Sequence, residues 1–315
     1  MRVLYIVGVG RSGSTLLERM LGAIPGWVNA GELNAIFCRV ALQDQRCGCG
    51  TAFSQCPFWK EVGTRAFGGW GPVAARIAEL QPRVVRQRHV LRLLSGHADA
   101  TYLHELDEYL EVHRRLYRAI AEVSGAETVV DASKSTAQLF ALRRISELDL
   151  RIVNLVRDSR GVARSWSKAG IRKPQSPAGE EMSTYPPYRL AVLWAALQLE
   201  CGVLGAVEAR ATRLRYEDLV ARPRPALARA LDDVDLRVSA QDLAHVHDGS
   251  VDLEPSHGVA GSRSRFTSGR IELAVDDAWR SSLAPGARRV VTALTLPQLL
   301  TYGYVGPRPA RERVA

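Results

Sequence analysis

The stretch VGVGRSGSTLL, Val7 to Leu17, follows directly on the apolar run VLYIV, Val3–Val7. A strand, a glycine-rich turn and a helix start aim several backbone N–H groups and the positive end of the helix dipole at an anion. The glycine frame is that of a triphosphate-binding loop, G-x-x-x-x-G-K-[ST], with Gly8, Gly13 and Thr15 in place. Its lysine slot, however, holds Ser14, and Arg11 stands three residues earlier. In the triphosphate loop the lysine grips the outer phosphates and the Ser/Thr holds Mg²⁺. Without that lysine, and with no obvious aspartate closing a strand for Mg²⁺, a triphosphate fits poorly. A nucleotide with a single phosphate in its 5′ chain fits better. Gly8, Gly10 and Gly13 permit the tight turn, Ser12, Ser14 and Thr15 add hydroxyl donors, and Arg11 adds a planar cation that grips an oxyanion bidentately.

Further β-branched runs alternate with helical patterns: a short one near Val28, then Thr128–Asp131, Ile152–Val156 and one centred on Leu214. This alternation predicts an α/β, P-loop-like three-layer domain, with a central parallel sheet of about five strands flanked by helices. No repeat or linker divides residues 1–315, so a single domain is expected. Each run ends in a polar cluster, RSGS, GEL, DASKS, RDSR and RYEDL. Ligands of open parallel sheets bind outside the carboxyl ends of the strands, so five such clusters converge on one crevice. Gln87–Val123 reads as a long helix packed on the sheet, with Leu91, Leu94, Leu103, Leu106, Leu110 and Leu116 inward, in a region (about 87–123) that would help to select substrate. Ser167–Arg189, rich in Pro, Gly and charge, reads as a lid-like loop. From Val220 the chain reads as helical, then irregular over His257–Arg270, with a helical tail.

The formal charge of +9 comes almost wholly from arginine, because Lys60, Lys134, Lys168 and Lys173 are the only lysines. Such a balance favours anionic partners, although an arginine-rich coding bias produces the same figure. In so lysine-poor a chain, a lysine inside a motif stands out. No apolar run reaches the ~18 residues of a membrane span, and no signal-peptide pattern opens the chain. A cytoplasmic protein is expected. Cys38, Cys47, Cys49, Cys56 and Cys201 are an odd set that argues against a disulfide framework. Cys47-x-Cys49 with Cys56, and Cys38 as fourth thiolate, offers a zinc site whose spacing is not that of a standard knuckle pair. Thiol packing or a disulfide is the alternative.

A second anion site is suggested by RDSRGVARSW, where Arg157 ends a strand and Ser165 lies eight residues on, with Arg164 beside it. Taken together, the two clusters resemble the sulfotransferases that use 3′-phosphoadenosine 5′-phosphosulfate (PAPS). There a loop after the first strand holds the 5′-phosphosulfate, here matched by Arg11, Ser12, Gly13, Ser14 and Thr15. A strand-end Arg and a Ser eight residues later hold the 3′-phosphate, matched by Arg157 and Ser165. RYEDLVARP, Arg215 to Pro223, resembles a third family segment and makes Tyr216 a cofactor contact. The match is closer to the carbohydrate and tyrosylprotein branches than to the cytosolic small-phenol branch, whose catalytic His has no counterpart here. In the tyrosylprotein branch a Glu after the second strand is the base, matched by Glu32, and a Lys after the next strand is catalytic, matched by Lys134. A late Ser corresponds to Ser262, with Arg263 in place of a Lys, and Arg263 or Arg265 as further nucleotide contacts.

The resemblance implies metal-independent in-line transfer of a sulfuryl group from PAPS to a hydroxyl on a small molecule or carbohydrate, with PAP as product and no nucleic acid involved. Arg11, Lys134 and the loop amides would stabilise the leaving phosphate, and Glu32 would take the acceptor proton, with Asp131 or His257 in reserve. Plainer roles stand beside these. Glu32 caps a helix, Asp131 caps a turn or pairs with Lys134, and Trp166 and Trp194 belong to the core. Two other functions stay open: a diverged P-loop kinase or NTPase, and a non-catalytic protein that binds nucleotide or sulfated glycan.

Overall fold

A computed structural model of the chain describes residues 1–167 and 184–307. Five parallel strands form the central sheet: β1 (Arg2–Val7), β2 (Trp27–Gly31), β3 (Thr128–Lys134), β4 (Asp149–Val156) and β5 (Ala211–Arg215), in the order β2-β3-β1-β4-β5. β1 shows why the sheet has helices on both sides. Val3, Tyr5 and Val7 enter one apolar cluster with Leu106, Tyr109 and Phe140, while Leu4 and Ile6 enter another with Leu17, Met20 and Leu227. A strand covered on both faces has no polar positions to spare, hence its unbroken apolar run. From β1 the chain runs to β2 and back to β3 on one side of β1, then crosses over to β4 on the other. That places the switch in winding direction at the carboxyl end of β1, where open α/β sheets bind ligands.

Two strand ends are re-aimed by an extra residue. Tyr5 of β1 lies opposite Asp131, but Val7 lies opposite Lys134, so β3 carries one residue more than β1 over that interval. Likewise Asn29 of β2 pairs with Val130 and Gly31 with Asp131, leaving Ala30 extra on β2. Such bulges turn the strand and redirect the next side chains. Here those side chains are Glu32 and Lys134, the latter at a left-handed φ of 65°, a conformation non-glycine residues adopt mainly where the surrounding structure forces it.

The segment 87–123 is not one helix. Gly96 at φ 70° ends a short helix over Val90–Ser95, and Asp99 caps the next, Ala100–Ser124, by accepting from Tyr102 N at 2.8 Å. Leu106, Leu110 and Leu116 are buried as the pattern predicts. Leu91 is 79% exposed and Leu94 38%, because the break takes them off the long helix's inner face. Past Val220 the chain also holds a three-stranded antiparallel sheet, β6 (Val246–His247), β7 (Ser250–Leu253) and β8 (Gly269–Glu272): β6 and β7 replace part of the expected helix, and β8 begins at the end of the stretch expected to be irregular. The Asp248-Gly249 turn that joins β6 to β7 has Gly249 at φ 76° and is a hairpin signal in the sequence. Of the lid-like loop 167–189, residues 168–183 lie outside the described residues.

The Pro187–Val207 helix is long and apolar enough to cross a membrane by length and composition, contrary to the expectation from uninterrupted runs. Gln198 and Glu200 interrupt the run, yet the helix as a whole stays apolar. One face, with Leu190, Ala191, Trp194, Gln198, Cys201 and Leu204, is buried against the rest of the domain, and the other leaves Val192, Leu193, Leu199 and Val203 exposed.

Candidate active site

The carboxyl ends of all five strands open into one cavity of about 750 Å³, a volume ample for a nucleotide-sized ligand. β1 brings Gly10, Arg11, Gly13, Ser14 and Thr15; β2 brings Glu32; β3, Lys134; β4, Arg157; and β5, Tyr216. Ser165, from the Ser159–Trp166 helix, and Ser262 complete the predicted residues on its wall.

The loop after β1 is built around a close approach. Gly13 has φ 94°, and a Cβ there would lie 2.5 Å from Tyr216 Cδ2, so any side chain would displace the Tyr216 ring. On its other side that ring faces the Arg157 guanidinium, with Cζ 4.7 Å from the ring centroid. Arg157 also donates to the Arg11 carbonyl at 2.9 Å and to Asp276 Oδ2 at 2.8 Å. Arg164 reaches the same carboxylate at 3.4 Å, and these guanidinium charges hold the Asp276 carboxyl below its usual range despite partial burial. Asp276 thus occupies the position an anionic ligand of Arg157 would take. Nothing in LAVDDAW marks it in the sequence; its place depends on the chain leaving β8 toward the cavity.

Arg11 lies over Trp166 at 5.1 Å, and partial desolvation lowers its pKa. Trp166 donates from Nε1 to Gly10 O at 2.9 Å and lines the cavity, so it is a wall of the site rather than core. Trp194 is core, at 1% exposure. Ser12 is buried, and its Oγ has no hydrogen-bond partner among the described residues.

On the opposite wall Lys134 Nζ meets Glu32 Oε1 at 2.5 Å, with both side chains largely shielded from solvent. Arg39 flanks the pair at 3.9 Å from Glu32. Glu32 N donates to Val259 O at 2.9 Å, which locks the segment after β2 to the chain running from His257. Three residues on, Ser262 N donates to Thr15 Oγ1 at 3.1 Å.

Several predicted neighbours lie elsewhere. Asp131 neither pairs with Lys134 nor lines the cavity. It is fully buried and accepts from Tyr117 Oη at 2.5 Å, Ser133 N at 2.8 Å and Leu33 N at 3.4 Å. Burial pushes its pKa up to about 6 against those donors. Its work is to hold the turn that carries Glu32. Arg265 is 1% exposed, and its guanidinium donates to the carbonyls of Ala260 and Arg46, behind the cavity wall. Arg263 is exposed and outside the lining. His257 stacks on Phe58, centroids 4.9 Å apart, beside three cysteines and away from the cavity.

Glu18 escapes a sequence reading because it looks like one charge on an apolar helix. It is 1% exposed, and desolvation raises its pKa to about 8 against the attraction of Lys134. Glu217, in the Arg215–Pro223 segment, accepts from Asp158 N at 3.1 Å and Tyr304 Oη at 2.7 Å. It ties the ends of β4 and β5 to the C-terminal Tyr304.

Residues 4–240 match the sequence model described as "Sulfotransferase family". The chain belongs to the sulfotransferase family. No curated protein sequence matches it. Among solved structures, this sulfotransferase shares its fold with the sulfotransferase domain of the Synechococcus PCC 7002 olefin synthase. The two are 18% identical over 98% of this chain and 96% of that one, at a TM-score of 0.53. The sulfotransferase STF1 from Mycobacterium tuberculosis H37Rv is also similar, at 16% identity, 77% and 70% coverage and a TM-score of 0.41.

Proposed function

We propose that this sulfotransferase takes its sulfuryl group from PAPS and passes it to a hydroxyl acceptor, with Glu32 as general base. The observation that carries the reading is the convergence of Arg11, Lys134, Arg157 and the loop hydroxyls with the Glu32 carboxylate around a single cavity. The buried, unpartnered Ser12 Oγ and the cradle at Gly13, which a Cβ would fill, suit a phosphate at the loop. Arg157, Ser165 and Tyr216 would hold the 3′-phosphate and the nucleoside, displacing Asp276 from Arg157.

When bound, PAPS supplies an activated sulfuryl group on a phosphate leaving group. The protein's part is positioning and charge. Arg11, the Lys134 ammonium and the amides of residues 11–15 would hold the phosphosulfate and stabilise the negative charge that grows on the leaving oxygen, and fixed donors of this kind contribute about 3–4 kcal/mol each. Glu32, within reach of an acceptor in the same cavity, takes the hydroxyl proton. Lys134 keeps the Glu32 carboxylate oriented through the 2.5 Å contact. The missing phosphate-loop lysine suits this division, because the cation needed here comes from β3 rather than from the loop.

The test is transfer of ³⁵S from labelled PAPS to hydroxyl acceptors in cell extract with EDTA present. Labelled product with the wild-type chain, and about 10²–10⁴-fold less with Glu32→Gln, is the expected result. Mg²⁺-dependent transfer of phosphate from labelled ATP, without sulfate transfer, would replace this reading with the kinase one.

A further inference from the structure

Behind the cavity wall, remote from the reacting groups, Cys47, Cys49, Cys56 and His257 bring one ligand atom each to within 4.8 Å of all the others. We propose that these four residues form a structural Cys₃His zinc site that fixes the segment from His257 to Ser262. The inference is independent of the donor and acceptor of the transfer reaction.

Four of the six distances between these atoms approach those of a tetrahedron sized for zinc, and all six lie within 4.8 Å. With Zn–S near 2.3 Å and Zn–N near 2.0–2.1 Å, tetrahedral edges come to about 3.8 Å between sulfurs and about 3.6 Å between sulfur and nitrogen. Cys47 and Cys56 Sγ are 3.6 Å apart, and Cys49 and Cys56 Sγ 3.8 Å. His257 Nδ1 lies 3.3 Å from Cys56 Sγ and 3.7 Å from Cys47 Sγ. All three cysteines are free thiols, and three thiols cannot all be consumed by pairing with one another.

The surroundings are shaped for ligation. Cys47 and Cys49 sit on a tight turn in which Gly50 N donates to Cys47 O at 2.9 Å and Cys47 N to Thr51 O at 2.9 Å. The Cys49 N–H faces the Cys47 sulfur, and the Trp59 N–H faces the Cys56 sulfur. Cys56 stands at the N-cap of the Pro57–Phe67 helix, where the helix dipole favours a thiolate. Gly48 has no room for a side chain, since a Cβ would lie 2.7 Å from Ser256 O, and its N–H donates to Gly258 O at 3.0 Å. The turn is thereby held against the segment that carries His257. Phe58 stacks on the His257 ring at 12° and fixes its plane, and Trp59 Nε1 donates to the His257 carbonyl at 2.7 Å and anchors its backbone. Cys38, the fourth thiolate suggested by spacing alone, is not part of the group; its sulfur faces the Asn34 and Ala35 carbonyls.

The consequence reaches the active site through the backbone. His257 is followed by Val259, which exchanges hydrogen bonds with Ala30 and Glu32, and by Ser262, which donates to Thr15. A metal on His257 pins the segment that buttresses both the Glu32 turn and the phosphate loop.

The experiment uses the full chain, without a histidine tag, purified from zinc-supplied cells under reducing conditions. Metal analysis should find one zinc per chain, released by a mercurial thiol reagent. Replacement by Co²⁺ should give thiolate-to-cobalt charge transfer in the near ultraviolet and the ligand-field bands of tetrahedral cobalt in the red. Cys56→Ser should weaken zinc binding by at least ~100-fold, His257→Ala should shift the ligand-field bands, and Cys38→Ser should leave both unchanged. The wild-type cobalt spectrum decides the matter even where a variant fails to fold. Metal-free protein with four or five titratable thiols and no cobalt spectrum would overturn the proposal, as would a Cys–Cys bond found by mass spectrometry in the reduced preparation.

Discussion

Glu18→Gln replaces a buried ionisable carboxyl with a neutral group of the same shape, and its effect on stability follows from the site. Glu18 is enclosed on the helix behind the phosphate loop, where desolvation and the nearby Glu32 and Asp131 raise its pKa to about 8 against the pull of Lys134 and Arg265. In the unfolded chain it titrates near the ordinary 4.5. The folded value is the higher one, so the folded state holds a proton that the unfolded state gives up. The associated stability is complete below about pH 4.5 and is lost as pH rises through 8. That interval corresponds to a ceiling of roughly 5 kcal/mol. Glutamine cannot ionise, so the variant escapes this loss. Urea denaturation at pH 5 and pH 8.5 should show similar stabilities at the lower pH and a variant more stable by about 2–5 kcal/mol at the higher. Parallel pH profiles for the two proteins, or a variant weaker at both pH values, would refute the reasoning. Glu18 would then be an ionised partner of Lys134 or Arg265.

Three more outcomes are expected. Glu32→Gln should lower sulfate transfer by about 10²–10⁴-fold, the range of general-base catalysis, while PAP affinity measured by calorimetry stays within a few-fold of wild type. Arg157→Ala should weaken PAP binding by roughly 10–100-fold through loss of a charged hydrogen bond. Asp276→Asn should strengthen it, because the competing carboxylate at 2.8 Å loses its charge; two shifts of the same sign would contradict this competition. Gly13→Ala should cost ~2–4 kcal/mol, the left-handed φ and the contact with Tyr216 adding together, and a denaturation midpoint equal to wild type would show that the loop relaxes freely.

The five strands and their polar ends are legible because a strand buried on both faces must be continuously apolar and must end where the chain meets solvent or ligand. This is why the strand ends that carry Arg11, Glu32, Lys134, Arg157 and Tyr216 can be located before any fold is seen, while the roles of Glu32, Lys134 and Tyr216 come from the family resemblance. The helix break at Gly96 and the turn at Gly249 are also written in the sequence, but helical spacing on either side of Gly96 masks the first, and the brevity of β6 and β7 masks the second. Asp276, Trp166 and His257 are different. Each acquires its role from a neighbour more than 100 residues away: Asp276 from Arg157, Trp166 from Gly10, His257 from Cys47 and Cys56. Local pattern carries no information about such pairings. Asp131 shows the reverse case, a residue conspicuous in its motif whose carboxyl is spent on Tyr117, Ser133 and Leu33.

The reading rests most directly on the cavity's preference for a 3′-phosphorylated nucleotide. Titration of the wild-type chain with PAP, with 5′-AMP and with ATP·Mg²⁺, the first two in EDTA, measures it. The account predicts one PAP per chain without metal, bound at least about tenfold more tightly than 5′-AMP, and weaker binding of ATP·Mg²⁺. Equal affinity for PAP and 5′-AMP, or tighter binding of ATP·Mg²⁺ than of PAP, would contradict it.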